Sequence, residues 1–95
     1  MKEDPIIKGA FREFEAAREL LEERGQTYGG LTVDDYMPFG LESYVQMVHL
    51  KSSRAVSTLK QGRPAEDLLD SLRDLINYAA FAAAKVSLEM EGTTE

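Results

Sequence analysis

Glu66, Asp70, Asp74 and Asn77 succeed one another at spacings of four, four and three residues. In a helix each residue turns by about 100°, so the last three fall at about 40°, 80° and 20° from Glu66. Four oxygen-bearing side chains therefore share one narrow stripe. Carboxylates one turn apart suit a hard cation such as Mg²⁺, which takes oxygen ligands at about 2.1 Å and keeps waters that a phosphate can replace. Glu66, Asp70 and Asp74 are the candidate metal ligands, with Glu13 as a further donor from another helix. The same acids have a structural reading. Glu66 sits in a first helical turn, where the dipole favours an acid, and Asp70 and Asp74 are natural ion-pair partners for Lys51, Arg54 or Arg73. The stripe runs on into Phe81, Ala84 and Leu88 rather than into polar residues, so the acids are expected to line a groove.

Lys51 and Arg54, three residues apart, project from one side of a second helix. Read functionally, they clamp a phosphate whose metal the acids hold. Read structurally, they neutralise the acids. His49 has no second histidine or cysteine near it and reads as a boundary residue; Ser52, Ser53, Ser57 and Ser71 lack a histidine at any recognisable spacing. The Tyr28-Gly29-Gly30 turn is neither a phosphate-binding loop nor a dinucleotide fingerprint, since no lysine or strand frames it. It would place Tyr28 over a base or seal the groove. No residue is assigned a catalytic role.

The elements that must position these groups are helices. Asp4-Pro5 is an N-cap followed by proline at the first helical position, and Ile6, Ile7, Ala10, Phe14, Ala17 and Leu21 then recur at helical spacing as far as the stop at Gly25. Leu41, Tyr44, Val45, Val48, Ser52, Ala55 and Leu59 form the next stripe, and Gln61-Gly62-Arg63-Pro64 is a tight turn that makes the second and third helices antiparallel neighbours. Leu68, Leu69, Leu72, Leu75, Ile76, Ala79 and Ala83 give the third helix a core stripe opposite its acids. The sequence predicts an all-α, three-helix antiparallel bundle over residues 1–95, with helices at about 5–24, 41–60 and 64–91 and a frayed tail at 92–95. The long C-terminal helix is expected to be central. A 15-residue irregular loop joins helices one and two; its Tyr, Met and Phe residues require it to fold back onto the bundle.

Ninety-five residues with 43% hydrophobic content support one modest core. A net charge of −6 opposes direct nucleic-acid binding, which needs a basic surface. The absence of cysteine excludes disulfides and thiolate chemistry. No run is long and apolar enough for a signal core or a membrane span, so a cytoplasmic protein is expected. Alanines around Ala79–Val86 exceed what one three-helix domain can cover, which predicts a homodimer.

Taken together, Tyr28-Gly29, Lys51-Ser-Ser-Arg54 and Glu66-x-x-x-Asp70-x-x-x-Asp74-Leu-x-Asn77-Tyr78-Ala79 resemble the nucleotide-modification-associated domain family, small helical proteins of phages and bacteria. The resemblance covers roughly residues 15–86. It implies a setting in nucleotide metabolism or DNA base modification, in a bacterium or a phage-infected host, and adds Asn77 and Tyr78 to Lys51, Arg54, Tyr28 and Gly29 as nucleotide-binding positions. A more distant likeness is to MazG-type all-α nucleoside triphosphate pyrophosphohydrolases, which gather Mg²⁺ with acids from two helices. Their Glu-Glu-x-x-Glu motif is replaced here by Glu19-x-x-Glu22-Glu23. Two functions follow: a protein binding a nucleotide with Mg²⁺ in an acidic groove, pyrophosphohydrolase-like, or a non-catalytic interaction module whose charged stripe is a structural ion-pair network.

Overall fold

The computed structural model describes residues 3–25 and 30–92. Three helices account for most of them: α1 (Pro5–Gly25), α2 (Leu41–Lys60) and α3 (Ala65–Gly92). The expected all-α architecture and the central third helix are both observed.

Local sequence sets the boundaries. Asp4 Oδ1 accepts from the Ile6 amide at 2.9 Å, so the carboxylate occupies an otherwise orphaned amide of α1 while Pro5 needs none. At the far end of α2, Gly62 adopts φ +67°. Its amide bonds the Leu59 carbonyl at 3.1 Å and the Arg63 amide bonds the Thr58 carbonyl at 3.4 Å, the paired bonds of a Schellman cap. That reversal returns α3 antiparallel along α2. Among its described residues the connecting loop forms a 3₁₀ turn, Val33–Tyr36, closed by a reciprocal cap between Thr32 and Asp35.

The loop does fold back. Met37 is buried, and Asp34 accepts both from the Tyr44 hydroxyl at 2.8 Å and from Lys85 Nζ at 3.1 Å. One carboxylate thus ties the loop to the start of α2 and the last third of α3.

Glu13 meets Arg73, Ala17 meets Asn77 and Arg24 meets Asp74, so α1 crosses one short stretch of α3 rather than following it along its length. Among the described residues α1 and α2 do not pack on each other. Both lie against α3, and the molecule is flat, with principal extents of 45 × 38 × 24 Å.

The core differs from the sequence expectation. Its buried members are Ala17, Met37, Tyr44, Ala55 and the polar Asn77. Leu69 and Leu72 of the expected α3 core stripe are exposed, as are Ala79 and Ala83. So are Ile6, Ile7 and Phe14 of the α1 stripe. The physical reason lies in the layer: with α1 and α2 on either flank of α3 and not on each other, one side of α3 keeps no cover.

Candidate functional site

The acid side of α3 faces a cleft between the two flanking helices. Asp74 is its centre. Its Oδ2 lies 2.9 Å from Lys51 Nζ, carried by α2, and its Oδ1 lies 3.2 Å from an Arg24 guanidinium nitrogen, carried by the last turn of α1. The Lys51 side chain is only 11% exposed and that of Asp74 22%. Each oxygen is therefore held by a cation from a different helix; the Lys51 arm is sheltered from water, whereas the Arg24 side chain is 53% exposed.

Position on the helix explains the neighbours. Three and four residues beyond Asp74, Asn77 and Tyr78 fall on the same side. Asn77 Nδ2 donates to the Ala17 carbonyl at 3.0 Å and is buried. The Tyr78 ring lies beneath Lys51, with the ammonium 4.7 Å from the ring centroid, and packs edge-on against Phe81 at 5.2 Å. Burial raises the Tyr78 phenol above its ordinary pKa and the Asp74 charge pushes it the same way; Arg24 and Arg54 oppose both. Arg54 is exposed and makes no ion pair among the described residues.

Two hollows open from this point and share Tyr78 and Phe81. A small polar cleft has walls of Leu21, Arg24, Asp74 and Asn77. On the other side lies a larger hollow of about 340 Å³, lined by Val33, Tyr36, Met37 and Met47. Aromatic rings and two thioethers thus stand beside a paired cation and carboxylate.

No family model, curated protein or solved structure matches the chain. The site is read from its geometry.

The residues singled out in the sequence are distributed unevenly. Lys51, Asp74, Asn77 and Tyr78 come together, and Arg54 stands close enough for its charge to act on Tyr78. Glu66 and Asp70 are exposed, towards the start of α3. Asp70 acts on Arg73, whose guanidinium pKa is raised first by its hydrogen bond to Glu13. Glu13 is engaged by that guanidinium at 2.6 and 3.2 Å, which holds its carboxyl below the ordinary value. Tyr28 and Gly29 lie outside the described residues.

This donor set does not suit Mg²⁺. Among the described residues no three acidic or imidazole side chains converge on one point. Asp74 is already bound by two cations, and Glu13 is committed to Arg73. Carboxylates in that state do not fit a bare divalent ion. Instead, one carboxylate stands between two cations brought by different helices.

Sequence reasoning missed Arg24, Tyr36 and Met37 as parts of this site. Arg24 carried the one usable signal, a basic residue in the last turn of α1. No pattern in the loop could say that Tyr36 and Met37 would meet Met47, Tyr78 and Phe81.

Proposed function

We propose that this protein binds a nucleotide, or a closely related phosphorylated aromatic molecule, in the cleft centred on Asp74. The observation that carries the reading is the position of Lys51. Its ammonium bridges Asp74 and the face of Tyr78, next to a hollow lined by Tyr36, Met37, Met47 and Phe81. An apolar, aromatic-lined hollow with a few convergent polar groups is the usual form of a small-molecule site. A planar base stacks on the rings, and the phosphate goes to the cationic side with Lys51, Arg24 and Arg54. Asp74 keeps the two cations oriented while the site is empty. A divalent ion enters this reading only as the counter-ion of bound phosphates, with the exposed Glu66 and Asp70, about two turns and one turn before Asp74 on α3, on offer to it.

Thermal-shift titration tests it, since a ligand that binds only the folded state raises the melting temperature by mass action. Nucleoside mono- and triphosphates are expected to raise it with or without Mg²⁺. The bare nucleoside should do so less, and Mg²⁺ alone should do nothing. Arg54→Ala removes an exposed side chain without an ion pair, so it should leave the unliganded melt unchanged and weaken the nucleotide response. If no nucleotide at millimolar concentration moves the melt, the reading fails.

A second reading has its own observation. Asp74 is neutralised by two helices at once, so the charged stripe already has a structural role in fastening α1 and α2 to α3. A helical interaction module needs nothing more from these residues. A melt indifferent to every nucleotide, together with a large stability loss in Asp74→Ala, supports this alternative.

A further inference from the structure

The side of α3 turned away from the acids is an uncovered apolar surface. Around the α3 axis, Leu68, Leu72, Leu75, Ile76, Ala79, Ala83 and Val86 occupy one arc without a single charge. Leu72 and Val86 are exposed there, as are Ala79 and Ala83. The surface continues onto both flanks. On the α1 flank, Ile6, Gly9 and Ala10 form a groove with Leu69, Leu72 and Ile76. On the α2 flank, Val45, Ser52, Val56 and Leu59 follow the helix edge opposite Met47 and Lys51, and Leu59 is 64% exposed.

The magnitudes say that this surface is not meant to face water. The chain exposes 7254 Å², whereas a compact monomer of its mass exposes about 5,500 Å². Its radius of gyration is 15.4 Å against about 12 Å for a compact domain of this length. No large apolar side chain is fully buried among the described residues. Domains are stable as two packed layers, and α1, α3 and α2 supply only one. The excess, about 1,800 Å² over the whole chain, is more than the roughly 800 Å² per partner that a stable interface buries, and the exposed residues of this face contribute part of it.

We infer that this face takes a second copy of the same chain, packed face to face about a two-fold axis to complete the missing layer. The occupant follows from the size of the deficit. A chain whose core is as small as Ala17, Met37, Tyr44, Ala55 and Asn77 needs its cover whenever it is folded, and the partner always present at equal concentration is another copy. Charge is compatible: the α3 arc carries none, and Arg12, Glu13 and Arg73, which also line the α1-side groove, include the mutually paired Glu13 and Arg73. Ile7, Phe11 and Phe14 are also exposed, but they lie round α1 from the Gly9–Leu72 groove, interrupted by Glu15 and Arg18. The small Ala79 and Ala83 near the middle of the face let two α3 helices approach closely. The inference is independent of the nucleotide reading.

Sedimentation velocity on the wild type and two single variants tests it. The wild type should sediment as a dimer at micromolar concentration, with a melting temperature that rises with protein concentration. Leu59→Glu should raise the dissociation constant at least about tenfold, whereas Phe11→Glu should leave it unchanged. If Leu59→Glu fails to fold, the concentration dependence of the wild-type melt still decides. A wild-type monomer with a concentration-independent melt overturns the inference. A dimer lost in Phe11→Glu and kept in Leu59→Glu overturns it as well.

Discussion

Lys51 and Asp74 are joined across the α2–α3 interface at 2.9 Å, with the lysine ammonium also 4.7 Å above the centre of the Tyr78 ring. The lysine has exchanged nearly all its water for one carboxylate and one π face. Removing the carboxylate leaves a mostly buried cation with only the ring and whatever water can enter. Asp74→Ala is therefore expected to lower the unfolding free energy by about 2 kcal/mol, less than a fully buried pair and well above a surface one. Lys51→Met removes the charge and keeps the stem, and Arg24 remains to hold Asp74, so its cost should be smaller. Urea midpoints decide the order. An Asp74→Ala midpoint equal to the wild type means that the pair is solvated and the cleft is no groove.

Asn77 is the buried polar residue of the core, and its amide reaches the Ala17 carbonyl at 3.0 Å. It is the one buried side-chain hydrogen bond between α1 and α3 among the described residues. Asn77→Ala loses the bond and opens a small gap, for a cost of about 1–2 kcal/mol. Because α1 makes no contact with α2 among the described residues, the loss should be concentrated in α1. Hydrogen exchange of the α1 amides should accelerate more than that of the α2–α3 hairpin. Uniform acceleration would mean that α1 has no separate stability to lose.

The helices were legible because their signals are local. Asp4-Pro5, the Gly62 turn and the apolar spacings each constrain a few consecutive residues, and three spans with a central third helix followed from them. The Lys51–Asp74 pair was legible for a related reason: an antiparallel hairpin fixes which turns face each other. Legibility ended where a residue's fate depends on a distant helix. Glu66, Asp70 and Asp74 share a stripe, but the stripe runs for more than two turns past different neighbours. Asp74 meets Lys51 and Arg24, while Glu66 and Asp70 meet solvent. Glu13 reads from the sequence as a further metal donor from another helix, and nothing in its own segment announces Arg73, sixty residues on. The apolar stripe of α3 has the same lesson. Periodicity identifies a face that needs cover without saying whether the cover is intramolecular, and Leu72 is exposed in the single chain.

Asp34 and Tyr44 supply the pH dependence. Tyr44 donates to Asp34 at 2.8 Å, and Lys85 reaches the same oxygen at 3.1 Å. These two hydrogen bonds, the tyrosine's first, hold the Asp34 carboxyl below its ordinary 3.8 against a smaller opposing effect of burial. Burial, followed by the bond and charge of Asp34, pushes the Tyr44 phenol from 10.0 up to about 12. A raised phenol pKa means that the folded state holds the proton more tightly than the unfolded chain. Its contribution is complete below pH 10 and disappears as pH rises through 12. For Asp34 the sign reverses: its contribution is present above 3.8 and is lost as pH falls through the lowered folded value. The wild-type melting temperature should therefore drop between pH 10 and 12, and Tyr44→Phe should drop less over that interval. Tyr78, also raised, leaves the variant some residual slope. Asp34→Asn removes a cause of the Tyr44 shift, so tyrosinate absorbance should appear at lower pH than in the wild type. An alkaline slope identical in wild type and Tyr44→Phe would break the link between this bond and the docking of the loop.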